Sequence, residues 1–184
     1  MKPICVVAIV ASTFIGWTGS ARAESSAWLS FTGGPATLAD DGDSLGTSGL
    51  LEISSGLGTS PLDPLVWGGL VRSSTYFASG TDLSLLGRVA TSGYALGNWG
   101  VALDAGGYER FWGRGSAGFT GSLSLGAPWG LVASAGGMLG TNSTRGASVS
   151  VGFDFARLTI FRTSGENWWK NPYPIAEHAA AASR

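Results

Sequence analysis

Charge, cysteine and histidine are all scarce in this sequence. Lys, Arg, Asp and Glu make up 12% of the 184 residues, about half of the ~25% that is usual for soluble domains. Cysteine occurs once, at Cys5, and histidine once, at His178. Disulfide bonds within the chain are therefore excluded, as are cysteine-based metal sites after Cys5. We expect no metal site and no cofactor, and we expect His178 to be exposed in its Ala-rich surroundings.

An excess of positive charge is also lacking. The formal net charge of the chain is −1. Beyond residue 23, which leaves out Lys2 and Arg22, nine basic residues stand against twelve acidic ones. A chain of this kind cannot neutralise a run of phosphates, so nucleic acid is not an expected partner.

The first 23 residues have the pattern of a secretory signal peptide. Lys2 supplies the positive charge, residues 4–15 are mostly apolar, and Ala21-Arg22-Ala23 fits the small-residue cleavage pattern before Glu24. The apolar stretch is too short for a membrane-spanning helix. We therefore expect residues 1–23 to be a signal peptide that exports the protein, with an uncleaved anchor as the alternative.

Glycine and alternating side chains dominate the sequence that follows. Glycine occurs 30 times, roughly twice its average frequency. From Ser116 to Leu125 the larger residues alternate with Ser, Thr and Gly. The same period of two recurs over residues 82–89, 98–105 and 147–155. This pattern predicts many short strands with one apolar and one polar face.

The small residues on the polar face favour a narrow β-barrel. The interior of about eight strands only just holds its side chains, whereas large apolar groups suit a lipid-facing exterior. We predict an all-β fold, a single antiparallel up-and-down β-barrel of eight strands over residues 24–163, with a soluble β domain as the alternative. Nine segments have strand character: 27–32, 48–55, 65–77, 81–91, 97–106, 115–125, 129–139, 145–155 and 157–163. We choose eight because single-chain bacterial barrels have an even number of strands.

Two longer connections and a tail complete the predicted domain organisation. Residues 33–47 and 106–114 are predicted to be loops outside the cell, where a ligand or partner would bind. Residues 164–184 form an aromatic and Ala-rich tail. Its Trp168, Trp169 and Tyr173 are candidate membrane-interface aromatics, with packing against the barrel rim as the alternative.

Two motifs have the letters of an enzyme site without its context. Gly42-Asp43-Ser44-Leu45-Gly46 matches a serine esterase pattern, but polar residues precede it instead of a strand. The esterase family also needs an Asp three residues before its histidine, where this chain has Ile175. A dinucleotide-type run, Gly113-x-Gly115-x-x-Gly118, precedes a predicted strand instead of the required helix. We therefore predict no catalytic residues and no enzymatic activity; a lipid-acting enzyme using Ser44 or His178 is the remaining alternative.

Five charged residues are predicted to face the barrel interior: Glu52, Arg72, Arg88, Asp104 and Asp154. Charges in a narrow lumen are costly unless they are paired. We expect them to form an ion-pair network that joins strands and plugs the lumen. The alternative is a polar path for a small solute.

In its organisation the chain resembles the small outer-membrane β-barrel proteins of Gram-negative bacteria. The resemblance rests on Ala21-Arg22-Ala23 and on alternating segments such as Phe119 to Leu125 and Ala147 to Phe155. It covers about residues 27–163 and points to the general class, not to one family. It implies an outer-membrane location, with membrane lipid and the outer-membrane assembly machinery as partners.

The expected function is structural or surface interaction with a plugged lumen; the alternatives are a narrow porin-like channel and a soluble periplasmic or secreted ligand-binding domain. Such proteins often end on a strand with a final aromatic residue, whereas this chain ends in Ala-Ala-Ala-Ser-Arg.

Overall fold

Eight antiparallel strands, each hydrogen-bonded to the next, close into a barrel in which β1 also pairs with β8. The computed structural model describes residues 25–39, 46–77 and 79–159. The strands are β1 Ser26–Ala39, β2 Gly46–Gly58, β3 Leu65–Tyr76, β4 Gly80–Thr91, β5 Gly100–Arg110, β6 Ser116–Gly126, β7 Leu131–Gly140 and β8 Arg145–Asp154. The predicted all-β, eight-stranded, up-and-down barrel is confirmed.

The strand register fixes the dimensions of the barrel. Stepping from Trp28 on β1 to its paired residue on β2, and so on through β8, leads back to β1 at Leu38. Leu38 lies ten positions beyond the starting residue. With the usual rise and strand spacing, this stagger tilts the strands by about 40° and gives a radius of about 8 Å. Side chains from opposite walls of such a barrel meet at its axis.

The connections define two ends of the barrel. At the loop end, the strands are joined by residues 40–45, 77–79, 111–115 and 141–144. At the termini end lie residues 59–64, 92–99 and 127–130, together with the start of β1 and the end of β8. This end carries α1 (Ser92–Ala95), a 3₁₀ turn (Pro128–Gly130) and α2 (Phe155–Thr159). Neither α1 nor α2 is long and apolar enough to span a membrane.

The predicted long loops 33–47 and 106–114 are wrong. Most of their residues belong to β1, β2 and β5, which leaves only residues 40–45 and 111–115 as connections. Gly106 and its neighbour Gly107 resemble a turn in sequence, but they lie within β5. A Cβ at Gly106 would clash with the carbonyl oxygen of Leu85. The glycine is therefore needed for close strand packing, not for a turn.

The predicted ninth strand, 157–163, is wrong over the residues that the structure describes. Residues 155–159 form α2, and residues 160–163 lie outside the described part of the chain. Asp154 accepts a hydrogen bond at Oδ1 from the backbone N–H of Arg157, over 3.1 Å. An aspartate that accepts from the third residue after it starts a helix, so β8 ends at Asp154.

The two faces of the barrel wall have opposite character. Large apolar side chains such as Leu85, which is 71% exposed, point outward, whereas Ser, Thr, Arg and Asp side chains fill the interior. Among the described strand residues, the outward-facing charges are Glu109 and Arg145, and both lie next to the loop end. This distribution is the reverse of that in a soluble domain.

Candidate functional site

The five predicted lumen charges all belong to the inward-facing set of the barrel wall. Asp104 and Asp154 are fully buried, Arg72 and Arg88 are buried, and Glu52 is half-buried. They come from five different strands, and the strand register brings three of them together at mid-height.

Asp104 is the centre of the middle layer of the lumen. It forms a bidentate ion pair with Arg88, with Nε–Oδ1 at 2.6 Å and Nη2–Oδ2 at 2.8 Å. Arg72 also donates to Asp104 Oδ2, and Ser122 donates to it over 3.3 Å. The four residues join strands β3, β4, β5 and β6 across the interior. Bidentate arginine–carboxylate pairs are the strong form of this interaction.

Arg88 also contacts aromatic rings on its termini side. Its Cζ lies 5.0 Å from the ring centroid of Trp28 and 5.4 Å from that of Tyr94. Both rings are buried in an apolar cluster that closes this half of the lumen. Trp28 packs over Gly58 and Gly68. An added Cβ would lie 2.4 Å from the indole ring at Gly58 and 2.7 Å from it at Gly68. The sequence analysis did not identify this cluster. It is indicated by a Trp on the polar face of one strand together with glycines on the polar faces of the next two strands.

A second ion pair closes the loop end. Arg110 donates to Asp82 from Nη2 over 2.9 Å and from Nε over 3.0 Å. Trp112 donates its indole N–H to the same carboxylate over 2.9 Å, and the Arg110 guanidinium lies 4.2 Å from the Trp112 ring centroid. Tyr76 packs against Trp112. Sequence reasoning missed this layer because it placed Arg110 and Trp112 in a loop.

Arg157 closes the termini end from α2. It is fully buried, and its guanidinium donates to the carbonyl oxygens of Tyr94 (2.6 Å), Asn98 (2.9 Å), Leu131 (3.1 Å) and Ala127 (3.3 Å). It also stacks on the Tyr94 ring at 4.4 Å. Burial lowers the pKa of Arg157, and burial likewise raises the pKa of the Tyr94 phenol. Arginine remains charged in proteins, so one cation binds two connections to the end of the barrel.

Glu52 lies in the loop-side half of the lumen without a basic partner among the described residues. It accepts hydrogen bonds from Ser74 and Ser150, each over 3.2 Å, and from Thr32 over 3.4 Å. Beside it is a cavity of about 20 Å³ that Arg72 and Tyr76 also line. Within the described interior, four arginines match four acids: Arg72, Arg88, Arg110 and Arg157 against Glu52, Asp82, Asp104 and Asp154. Glu52 therefore offsets the second arginine that shares Asp104.

The predicted interface aromatics Trp168, Trp169 and Tyr173 lie outside the described residues, as do Ser44 and His178. Other aromatic side chains are exposed at the barrel ends: Trp67, Trp99 and Trp129 at the termini end, and Phe77 and Phe111 at the loop end. Trp129 has a positive φ of 64°, which is uncommon for a residue with a Cβ. Sequence reasoning missed these exposed end aromatics. They are indicated by a Trp or Phe that lies just inside or just beyond the end of a strand.

No metal site appears in the described part of the chain, because no three His, Cys, Asp or Glu side chains cluster there. Comparison with protein-family models, with curated proteins and with solved structures found no match to this chain. The function must therefore be argued from the barrel and its interior.

Proposed function

We propose that this protein is an outer-membrane β-barrel of a Gram-negative bacterium, exported by the signal peptide 1–23, with a plugged lumen and a structural or surface-interaction role. The observation that carries the proposal is the outer wall of the closed barrel, which exposes large apolar side chains on every strand. A soluble monomer rarely exposes an apolar patch larger than a few hundred Å². Lipid is the solvent that suits such a wall.

The height of the apolar wall supports the proposal. On β3 the outward positions run from Leu65 to Thr75 without a charge. At a tilt of about 40°, each residue rises about 2.5 Å along the barrel axis, so these positions span about 25 Å. This uncharged height is close to that of the apolar band of outer-membrane barrels, with Ser73 and Thr75 as its hydroxyl-bearing positions towards the loop end.

The ends of the wall support an orientation in the membrane. Trp67, Trp99 and Trp129 surround the termini end, and indole rings favour the membrane–water interface. The outward charges Glu109 and Arg145 lie beside the loop end. This arrangement fits a barrel with its termini in the periplasm and its loop end outside the cell.

The packed interior favours a plug over a channel. The ion pairs Asp82–Arg110 and Arg72–Asp104–Arg88 and the Arg157 contacts form three successive layers along the lumen. The cavity of about 20 Å³ between the first two layers has room for about one water molecule. The proposed role is therefore structural, or surface interaction through the short connections 40–45 and 111–115.

Cell fractionation with a boiling-dependent gel shift tests the membrane assignment. We expect recovery in the outer membrane and a change in gel mobility on boiling. Leu85→Arg places a charge at mid-wall and costs about 2–4 kcal/mol in lipid, whereas Glu109→Arg at the loop end costs about 0–1 kcal/mol. Leu85→Arg should therefore lose the shifted form at a lower heating temperature than the unaltered protein, and Glu109→Arg should lose it at nearly the same temperature. Recovery in the soluble periplasm, with both variants folded, would contradict the proposal.

A further inference from the structure

The strand pairing that closes the barrel is interrupted. β1 pairs with β8 from Ser30↔Asp154 to Gly33↔Val151, and again from Ala36↔Ser148 to Ala39↔Arg145. Gly34 and Pro35 have no partners on β8, although both pair with β2. The other seven strand pairs are continuous over their described registers. Proline has no N–H to donate to a ladder, so Pro35 cannot donate a backbone hydrogen bond across the β1–β8 seam at this height.

Side chains bridge the seam on the inside, next to the interruption. The Ser150 hydroxyl of β8 donates to Thr32 Oγ1 on β1 over 3.3 Å and to Glu52 Oε2 on β2 over 3.2 Å. Thr32 also donates to Glu52 Oε2. One carboxylate oxygen therefore joins β8, β1 and β2, and Thr32 and Ser150 are both buried. Hydrogen bonds to a charged group are stronger than neutral ones.

The cavity beside Glu52 lies directly behind this bridge. Glu52 lines it from β2, and Gly146 and Ser148 line it from β8. Ser148 pairs with Ala36, the first residue after the interruption. A separation of the two strands here would connect the cavity with the outside of the wall.

We propose that the β1–β8 seam is the point at which the barrel wall opens laterally, and that Glu52 keeps it closed by holding Thr32 and Ser150 together. The seam is the strand pair whose described register is interrupted, and the interruption lies beside the bridge. Opening exposes the polar cavity to the surroundings of the barrel without unfolding the other seven strand pairs. The device depends on the closed barrel and goes beyond the proposed function, since it does not require a membrane.

Hydrogen exchange on the folded full chain in detergent micelles tests the proposal. In the unaltered protein, amides of β1 and β8 that point into the seam should exchange faster than those between β3 and β4. Thr32→Val/Ser150→Ala removes the two seam donors without changing the charge of the lumen. We expect it to accelerate exchange at the seam by about tenfold and to leave the β3–β4 amides unchanged.

Ser74→Ala is the matched control. It also removes one hydrogen bond to Glu52, but Ser74 lies on β3, away from the seam. Seam exchange in this variant should equal that of the unaltered protein. Equal protection of the seam and the β3–β4 amides in the unaltered protein would overturn the proposal, as would equal effects of the two variants. If the double variant loses its boiling-dependent gel shift, Ser150→Ala alone provides the same comparison. The gel shift reports the barrel fold separately, so failure of the seam proposal is distinct from failure of the membrane assignment.

Discussion

Replacement of Asp104 by asparagine is the sharpest perturbation of the lumen. Asp104 accepts from Arg72, twice from Arg88, and from Ser122. Asp104→Asn leaves two buried guanidinium groups facing each other without an anion between them. Removing one partner of a buried ion pair costs about 3–5 kcal/mol, and we expect the free energy of unfolding to fall by that amount.

Arg72→Met should cost less than Asp104→Asn. In this variant Asp104 keeps its bidentate ion pair with Arg88. The expected loss of unfolding free energy is therefore about 1–3 kcal/mol, as for one hydrogen bond between charged groups. Ser148→Ala, on the lumen face of β8, is the control and should change stability by less than about 0.5 kcal/mol.

The assay is urea unfolding of the barrel in lipid vesicles, followed by tryptophan fluorescence, which yields the free energy from a linear extrapolation. The losses of unfolding free energy should follow the order Asp104→Asn, Arg72→Met, Ser148→Ala, from the largest to the smallest. Equal losses for Asp104→Asn and Ser148→Ala would refute a central role for Asp104. A loss for Arg72→Met as large as that for Asp104→Asn would refute the shared-anion geometry.

Three further outcomes follow from the same contacts. Arg157→Ala should lower the unfolding free energy by about 2–4 kcal/mol, because buried carbonyl oxygens lose their donor; limited proteolysis should then cut residues 92–99 and 127–130 faster, and unchanged cleavage would contradict this. Gly68→Ala should cost about 1–3 kcal/mol, because its Cβ would lie 2.3 Å from the Leu57 carbonyl oxygen and 2.7 Å from the Trp28 ring; Gly69→Ala, where a Cβ meets nothing closer than 3.8 Å, should be nearly neutral, and equal urea midpoints would argue against this packing. Planar bilayer recordings of the purified protein should show no conductance steps, and stable steps would favour the channel alternative.

The facing of most strand residues could be predicted from the sequence, because a period of two survives wherever both faces are restricted. The alternation placed Arg72, Arg88, Asp104 and Asp154 inward, as the structure does. A one-residue slip would put these charges outside. The eight-strand count followed from the same segments and from the even number expected of bacterial barrels.

The ends of the barrel could not be predicted in this way. The sequence pattern ends a strand at Gly106 and predicts a loop over 106–114, because turns and tight strand packing both select glycine. That prediction leaves Arg110 out of the lumen. The sequence pattern also predicts a strand at Arg157, because it does not reveal that the Asp154 side chain starts a helix. These contacts join residues distant in sequence, and no local period encodes them.

The proposed membrane location requires the outer wall of the barrel to contact lipid. The chain has no cysteine after Cys5, so single cysteines can be spin-labelled cleanly at Leu85 and Leu123 on the outer wall and at Glu109 beside the loop end. Electron paramagnetic resonance in outer-membrane vesicles then compares collision with oxygen, which dissolves in lipid, against collision with a water-soluble nickel complex. Oxygen should reach the labels at positions 85 and 123 more readily than nickel does, with the reverse at position 109. Ready access of nickel to positions 85 and 123 would contradict it.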